Sequence, residues 1–302
     1  MNSAVKQAVS DNKNEINDVI ISNIIEGESF QIRKGFNALG FRHASFGTLM
    51  DPLIMVDHFT MTKPTFGTHP HAGLSAVSLV FEDSVGQFHN QDSLGNNFDL
   101  LPGDLYWLNA GSGIVHDEAP REGAKIHGLQ VFVNLPKSLK YSAPQSTLVR
   151  SQQIPLIIDE SYRVRVVLGE SNGVVGKIIP SNYLTILDGK LFGPSRFSHK
   201  TNAGEQSWIY AVSGCIDVSI GDEIVTLKQG QAISAKAVKQ VISIINKQNV
   251  DAHFVLFSGA AIAEKFVQRG PFAMSTEAEN NAAQRKYDLG LFGSIGKNFR
   301  AC

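Results

Sequence analysis

The segment HPHAG, residues 69–73, places two histidines two positions apart. Imidazole can bind a metal or carry a proton near neutral pH. His69 and His71 therefore form either half of a metal site or two ordinary surface histidines in a loop rich in threonine, proline and glycine. The chain has nine histidines, so one H-x-H pair is weak evidence by itself. The choice depends on whether the chain supplies further ligands.

A second group of ligand-type side chains follows 45 residues after His71, in the segment AGSGIVHDEAP. On an extended strand, residues i and i+2 point to the same face, so His116 and Glu118 project together and Asp117 projects away. The restriction on a residue before proline favours an extended His69, so the first two histidines also share a face. Two such pairs on facing strands make a cage of three histidines and one carboxylate. Asp117 would be the carboxylate ligand only in an irregular strand.

Three imidazoles and one carboxylate are a ligand set for a divalent transition metal. Neutral imidazoles bind iron, nickel, copper and zinc, and a carboxylate offsets part of the metal's charge. Four protein ligands leave coordination positions open for chemistry or substrate binding, whereas a closed structural zinc site usually contains cysteines. Calcium is disfavoured because it prefers oxygen ligands. The alternative is that Asp117 and Glu118 form a solvated rim without a metal.

The elements around these residues have the two-residue period of strands. In IHGLQVFVNL, the apolar residues Leu129, Val131 and Val133 alternate with Gln130 and Phe132, which predicts a half-buried strand. Turns that contain glycine recur about every ten residues in the preceding segment. Many short strands at that spacing indicate an all-β sandwich or barrel.

The second half of the chain repeats this organisation. LKQGQAIS (227–234) resembles LPGDLYWL (101–108) in shape, because each has a leucine, a glycine turn and then an alternating strand. We interpret this weak repeat as two related β-barrels. The expected division is an N-terminal metal-binding domain over 19–140, a crossover segment over 141–180 and a C-terminal domain over 181–302.

The C-terminal half differs from the first half in two respects. The segment 275–290 predicts a helix, in which Thr276 and Glu279 fit a capping box. No H-x-H pair follows the first one, and His199 and His253 are isolated in the sequence. We therefore expect the C-terminal domain to be structural and free of metal.

Composition and a few sequence features narrow the range of possible functions and locations. The 27 basic residues balance 28 acidic ones, which argues against nucleic-acid binding. Residues 1–18 are polar and lack the apolar run of a signal peptide, so we expect a disordered tail. No apolar stretch approaches the roughly 18 residues of a membrane span. Cys215 and Cys302 are far apart and do not suggest a disulfide framework. These features predict a cytoplasmic protein.

Several longer stretches resemble the pirin family. The H-P-H-x-G, P-G-D-x-x-W and G-x-x-H-x-E elements occur in the family's order and spacing, and the resemblance extends over about residues 35–292. The stretches that carry it are MDPLIMVDHF, THPHAGLSAV, DSLGN, LPGDLYWLNAGSGIVHDEAP, HGLQVFVNLP and GPFAMST. The resemblance implies an all-β bicupin fold. Two antiparallel β-barrel domains of the cupin or jelly-roll type would pack face to face, with metal in the N-terminal one and a short C-terminal helix.

Carried over by position, the resemblance implies that the metal ligands are His69, His71, His116 and Glu118. The metal in the family is usually Fe(II), and other cupins contain nickel, manganese, copper or zinc. Several pirins resemble quercetin 2,3-dioxygenase in activity. The implied function is an Fe(II) dioxygenase that acts with O₂ on a flavonol-like substrate, with Glu118 as the catalytic base.

The resemblance also implies an alternative function. Some pirins are regulatory proteins that bind a transcriptional regulator or a metabolic enzyme, with the metal as a redox sensor. In that case the partner would be another protein rather than a flavonol. A monomer is expected in both cases, because a bicupin already packs two barrels together as a cupin dimer would.

The chain departs from the family pattern near the predicted site. Ala72 and Ser75 stand where the family often has arginine and glutamate, and His58 stands where it usually has an acid. The family's H-x-D-S element is one residue longer here, at His89. These departures remove no ligand. They weaken any inference about one specific substrate.

Overall fold

The computed structural model of the protein describes residues 19–178, 184–202, 204–236 and 241–296. The expected disordered tail, residues 1–18, lies outside the described residues, as does Cys302. Within the described ranges, strands form most of the regular structure.

The strands of the first half of the chain are β1 (Ile20–Ile21), β2 (Ile25–Glu26), β3 (Glu28–Ile32), β4 (Phe36–Arg42), β5 (Leu53–Met61), β6 (His69–His71), β7 (Leu74–Val80), β8 (Phe88–Asp92), β9 (Asn97–Leu100), β10 (Leu105–Asn109), β11 (Ile114–Pro120), β12 (Ile126–Asn134) and β13 (Gln145–Val149). Those of the second half are β14 (Leu156–Ile158), β15 (Tyr162–Leu168), β16 (Glu170–Ser171), β17 (Val174–Val175), β18 (Leu184–Leu191), β19 (Ser195–Lys200), β20 (Glu205–Ser213), β21 (Cys215–Ile220), β22 (Glu223–Lys228), β23 (Gln231–Lys236), β24 (Val241–Asn246), β25 (Ala252–Ala260), β26 (Val267–Arg269) and β27 (Phe272–Met274). The α-helices are α1 (His43–Phe46) and α2 (Glu277–Asp288), and 3₁₀ turns occupy Gly47–Met50, Lys137–Leu139 and Ser151–Gln153.

Each half of the chain forms a large and a small antiparallel sheet. In the first half the large sheet has the order β13-β10-β7-β12-β5-β4-β3 and the small one has the order β6-β11-β8-β9. The sheets of the second half have the orders β1-β23-β20-β25-β18-β15-β14 and β19-β24-β21-β22. The first of these includes β1 from the start of the chain, and β2 also pairs with β23. A separate apolar core fills the space between the two sheets of each half. The chain is therefore an all-β protein with two cupin-type domains, as the sequence predicts.

The two large sheets also pack against each other through a third apolar core. Trp107 and Val131 of the first large sheet belong to the same buried cluster as Trp208, Tyr210 and Phe257 of the second. Each large sheet is consequently covered on both faces, by its own small sheet and by the other domain. This packing confirms the face-to-face arrangement of the two domains.

Strand β12 illustrates the consequence of this double burial. Leu129, Val131 and Val133 point into the core between the domains. The alternating residues Gln130 and Phe132 are partly buried and line a cavity inside the first domain. The strand is confirmed, but its second face meets a cavity rather than bulk solvent.

The two ends of the described chain each cross to the opposite domain. Strands β1 and β2 pair with β23, in the large sheet of the second half. Near the other end, Phe272 on β27 forms a parallel bridge to Ala72, directly after β6. The domain boundaries stay predictions, and a single cut between the halves would separate one of these segments from its sheet.

The C-terminal helix α2 begins with the predicted capping box. The Thr276 side chain accepts a hydrogen bond from the Glu279 backbone N–H over 3.2 Å, and Glu279 Oε2 accepts from the Thr276 N–H over 3.1 Å. These two bonds satisfy backbone donors that the first helical turn leaves free. Of the helices in the described ranges, none is long and apolar enough to cross a membrane.

A buried ion pair braces the second large sheet. Asp188 on β18 accepts from Arg165 Nη1 over 2.8 Å and from His253 Nε2 over 2.6 Å. Arg165 also donates to the Gly103 carbonyl of the first domain. Burial alone would raise the pKa of Asp188, but His253 and Arg165 lower it to about 2. The ionised carboxylate therefore belongs to the folded state.

We predict that Asp188→Asn lowers the free energy of unfolding at pH 7 by about 3 kcal/mol, because it leaves the Arg165 guanidinium buried without its carboxylate. The folded pKa of Asp188 lies below its usual value of about 4, so its stabilisation is present above pH 4. It is lost as the pH falls towards 2. Urea denaturation from pH 7 to pH 3 measures the difference, with exposed Asp222→Asn as the control. A wild-type-to-variant difference that does not shrink on acidification contradicts the prediction.

Candidate metal centre

The pairing of β6 with β11 brings the two predicted ligand pairs together. The strands are antiparallel and His69 lies directly opposite His116. Strand β11 also pairs with β8 from His116 to Pro120 without a register shift. A regular strand turns His116 and Glu118 to one face. The irregularity that would have made Asp117 the ligand is therefore absent from this strand.

The imidazole rings of three histidines converge on one point. His116 Nε2 lies 2.9 Å from His69 Nε2 and 3.0 Å from His71 Nε2. A ligand atom from each ring lies within 4.8 Å of the other two, in an arrangement that could hold a metal ion. His71 and His116 are buried and His69 is partly buried. The structure thus brings together the three histidines that the sequence analysis selected.

The hydrogen bonds of the outer ring nitrogens define which nitrogens face this point. His69 Nδ1 lies 2.8 Å from the Gly67 carbonyl and His71 Nδ1 lies 3.2 Å from the Pro271 carbonyl. A carbonyl oxygen only accepts, so each Nδ1 carries the hydrogen and each Nε2 of the neutral ring is a bare lone pair. One hydrogen on His116 Nε2 cannot satisfy both facing lone pairs. A cation at this point would satisfy all three, so the donor set fits a divalent metal.

Burial keeps these rings in the neutral form that binds metals. Desolvation, with a further contribution from His69, lowers the pKa of His71 to about 3. Burial and the two neighbouring rings hold the pKa of His116 well below its usual value. Desolvation lowers the pKa of His69 as well. The protein therefore does not have to remove protons from the site before a metal binds at neutral pH.

Glu118 lies on the same strand face as His116 and lines the same cavity as the other two histidines. The Ser78 hydroxyl donates to Glu118 Oε1 over 2.6 Å, which orients the carboxyl group. Burial raises the pKa of Glu118 to about 7, and the Ser78 hydrogen bond opposes part of that rise. A carboxyl group with this pKa can exchange a proton near neutral pH.

His69, His71 and Glu118 open onto a cavity of about 240 Å³. Its walls are mainly aromatic and thioether side chains, and Asp57 is a polar exception that accepts from Arg42 Nη1 over 2.5 Å. The lining residues are Phe36, Met55, Asp57, Phe59, Met61, Phe66, His69, His71, Phe88, Glu118, Gln130, Phe132, Gly270 and Pro271. A flat, mostly apolar molecule with a few polar groups suits such a lining.

Sequence reasoning missed several residues of this site. Ser78 and Gln130 lie on the large sheet, where the two-residue period could have assigned them to the cavity face. On β5, the same two-residue period could have assigned Asp57 to the cavity face. Pro271 gave no local signal in the sequence. Its carbonyl accepts a hydrogen bond from His71 Nδ1, and the two residues are 200 positions apart.

Other histidines of the first domain have their own partners. His127 contacts Asp83 and His58, and His58 in turn contacts the Tyr210 hydroxyl across the domain interface over 2.6 Å. His89 Nε2 lies 2.8 Å from the Asn97 side chain. None of His58, His89 and His127 is among the residues that line the cavity.

Comparison with known proteins agrees with this fold. The model of the Pirin family matches residues 33–133, and the model of the Pirin C-terminal cupin domain matches residues 186–293. Pirin from Mus musculus is 35% identical over 236 residues, which cover 78% of this chain and 80% of the mouse protein. A pirin-like protein from Solanum lycopersicum is 30% identical over 245 residues, which cover 81% of this chain and 82% of that protein.

Solved structures share the architecture at lower sequence identity. Quercetin 2,3-dioxygenase from Acinetobacter baumannii has a TM-score of 0.81 at 24% identity, covering 92% of this chain and 99% of that one. The bacterial pirin YhhW from Escherichia coli in complex with nickel(II) has a TM-score of 0.60 at 20% identity, covering 81% of this chain and 100% of that one. At these identities the likeness concerns the fold.

The stacked sheets and the clustered histidines together define a bicupin of the cupin superfamily, with a metal-compatible site in its first domain. Within that class, the chain belongs to the Pirin family.

We predict that, in metal-free protein at pH 6, His69 and His71 are neutral and carry their hydrogen on Nδ1. Both rings donate to a backbone carbonyl, and burial lowers both pKa values. Nitrogen-15 spectra of histidine-labelled protein distinguish the two tautomers and the charged ring. His69→Ala and His71→Ala assign the signals. A hydrogen on Nε2, or a charged ring at pH 6, would contradict the geometry described above.

Proposed function

We propose that this protein is an Fe(II)-dependent dioxygenase that acts on flavonol-like substrates, with activity of the quercetin 2,3-dioxygenase type. The observation that carries the proposal is the convergence of three imidazole Nε2 atoms, with a buried carboxyl group on the wall of the same aromatic cavity as His69 and His71. In this proposal His69, His71, His116 and Glu118 hold the metal.

The donor set and the relatives support this choice of metal and substrate. Three neutral nitrogens and one carboxylate suit Fe(II), and also nickel, manganese, copper and zinc, while leaving coordination positions open. A related bacterial pirin contains nickel(II), and a structural neighbour is a quercetin 2,3-dioxygenase. When bound, the metal would supply a Lewis acid for the two neighbouring oxygens of a flavonol and mediate its reaction with O₂.

Glu118 has the properties of the proton acceptor in this reaction. A flavonol loses the hydrogen of its 3-hydroxyl group on activation, and Glu118 is the carboxylate that lines the cavity together with His69 and His71, where it can accept this hydrogen. The Ser78 hydroxyl holds one carboxylate oxygen in place throughout. Since the group is 7% exposed, bulk water does not compete for the proton.

The cavity walls determine how the substrate lies. Phe36, Phe59 and Phe132 would contact the flat rings and keep water away from the reacting atoms. The volume of about 240 Å³ lies just below the roughly 300–1,000 Å³ of common ligand pockets. It therefore favours one small planar molecule over a larger conjugate.

We predict that purified wild-type protein binds about one metal per chain and that a His69→Ala, His116→Ala double variant loses it. Elemental analysis measures the metal, and an oxygen electrode then measures uptake by iron-loaded protein with quercetin. His199→Ala, in the second domain beside Ser171, is the control and should behave as wild type. The loaded wild-type protein should consume O₂ only when quercetin is present.

The other outcomes discriminate between the functions. Stoichiometric metal without O₂ uptake on any flavonol would overturn the dioxygenase and favour a regulatory protein that binds a protein partner. No metal in the wild-type protein would overturn both the ligand assignment and the activity.

We predict that Glu118→Gln lowers kcat by at least about 100-fold, because the flavonol hydroxyl loses its proton acceptor. Raising the pH should restore part of the rate, since the flavonol then ionises without help. Steady-state rates at equal metal content, from pH 6 to pH 9, measure both effects. Glu122→Gln, at an exposed position four residues away, is the control. A rate within a few-fold of wild type would show that Glu118 is not the base.

A further inference from the structure

Lys140 is a buried cation that forms no salt bridge with a carboxylate of the described residues. Its side chain lies just after β12 and only 1% of the residue is exposed. The ammonium group donates three hydrogen bonds, to the Gly73 carbonyl (2.9 Å), Asn134 Oδ1 (2.7 Å) and the Ala273 carbonyl (2.7 Å). Three oxygens match the three hydrogens of an ammonium group. Burying a cation is costly, and Glu264 and Glu279 attract the ammonium group only at longer range, so the position of these three oxygens matters to the fold.

Through the Gly73 and Ala273 carbonyls, Lys140 joins two segments that are distant in the sequence. Residues 71–73 begin with the last residue of β6, and residues 271–273 lead into β27. Ala72 bridges Phe272 in parallel, and the Ala273 N–H donates to the Ala72 carbonyl over 3.0 Å. Lys140 joins the carbonyls at the far ends of both segments, so that neither can slide along the other.

This clamp determines the surroundings of one predicted metal ligand. The Pro271 carbonyl, two residues before Ala273, accepts from His71 Nδ1 over 3.2 Å. The two segments pack closely at Gly73, because a Cβ atom there would lie 2.3 Å from the Ala273 carbonyl oxygen. Gly73 also has a φ of +73°, which favours glycine. The Pro271 oxygen can stay at the ring only while the two segments remain in register.

Phe292, further along the C-terminal region, packs against the other ligand strand. The Ser93 hydroxyl donates to the Phe292 carbonyl over 2.7 Å and accepts from the Val115 N–H over 3.2 Å, next to His116. Residues after the second barrel therefore cover the backs of both β6 and β11.

We propose that Lys140 is a positioning residue for the metal site, which acts on His71 through the 271–273 segment. By holding the Pro271 carbonyl at Nδ1, it keeps the hydrogen on that nitrogen and leaves Nε2 free for a metal. The metal part of this inference rests on the proposed function. The effect on the His71 ring does not, because it concerns the metal-free protein.

The test is Lys140→Met, which keeps the length of the side chain and removes its three donors. In metal-free protein at pH 7, nitrogen-15 spectra should show His71 changing from the Nδ1–H form to a mixture of tautomers. In titrations with nickel(II) against a competing chelator, the affinity should fall by about 10- to 100-fold, the usual effect of removing a hydrogen-bond partner behind a ligand. The stoichiometry should remain one metal per chain.

Two controls separate positioning from general stability. Lys137→Met removes an exposed lysine three residues away and should change neither measurement. Val218→Ala destabilises the protein by trimming the core of the second domain, and it should leave the His71 tautomer and the nickel affinity unchanged. If Val218→Ala lowers the affinity as much as Lys140→Met does, the effect is one of stability and the proposal fails.

The remaining outcomes are also decisive. An unchanged His71 spectrum in folded Lys140→Met overturns the proposal, whatever the nickel affinity. If the wild-type protein binds neither nickel nor iron while the spectrum changes, the proposed function fails and the positioning role stands. If Lys140→Met does not fold, Asn134→Ala removes one of the three acceptors. It should shift the same tautomer signal to a smaller extent, and a wild-type signal there contradicts the proposal.

Discussion

The burial of both faces of each large sheet is the constraint on which the rest of the structure depends. The core between the domains, built around residues such as Trp107 and Trp208, occupies one face of each large sheet. The strand period of two then directs the alternate side chains towards the small sheet of the same domain. In the first domain that inner face carries Phe132, which contacts the His71 ring, and Ser78, which donates to Glu118 on β11. The shared core thus holds the cavity wall rigid from behind.

The site itself is preorganised by hydrogen bonds that leave charges and lone pairs in defined places. Backbone carbonyls hold the hydrogens of His69 and His71 on their outer nitrogens, and burial keeps the rings neutral. Without a cation, the lone pairs of His69 Nε2 and His71 Nε2 both face His116 Nε2, whose single hydrogen can satisfy only one of them. The fold accepts this local cost because the two strands that carry the rings are fixed by their neighbours, including a C-terminal segment from beyond the second domain.

Much of the site could be predicted because its chemistry is local. H-P-H and G-I-V-H-D-E each encode two same-facing ligands on an extended strand, and the pairing of β6 with β11 needed only that the strands meet. The alternation in β12 likewise predicts the strand. It could not predict what each face meets, because an apolar face can point into a barrel or towards a second domain with the same residue pattern.

The sequence by itself determined the all-β class, the two related halves, the capped C-terminal helix and the residues able to bind a metal, since these follow from local periodicity and residue type. Only the tertiary structure decided that β1 and β2 join the second domain, that Lys140 clamps residues 271–273 to 71–73, and that the Pro271 carbonyl sets the tautomer of His71. Those contacts join residues up to 200 or more positions apart. Their partners are selected by the closing of the sheets around common cores, a property of the whole chain that no short segment encodes.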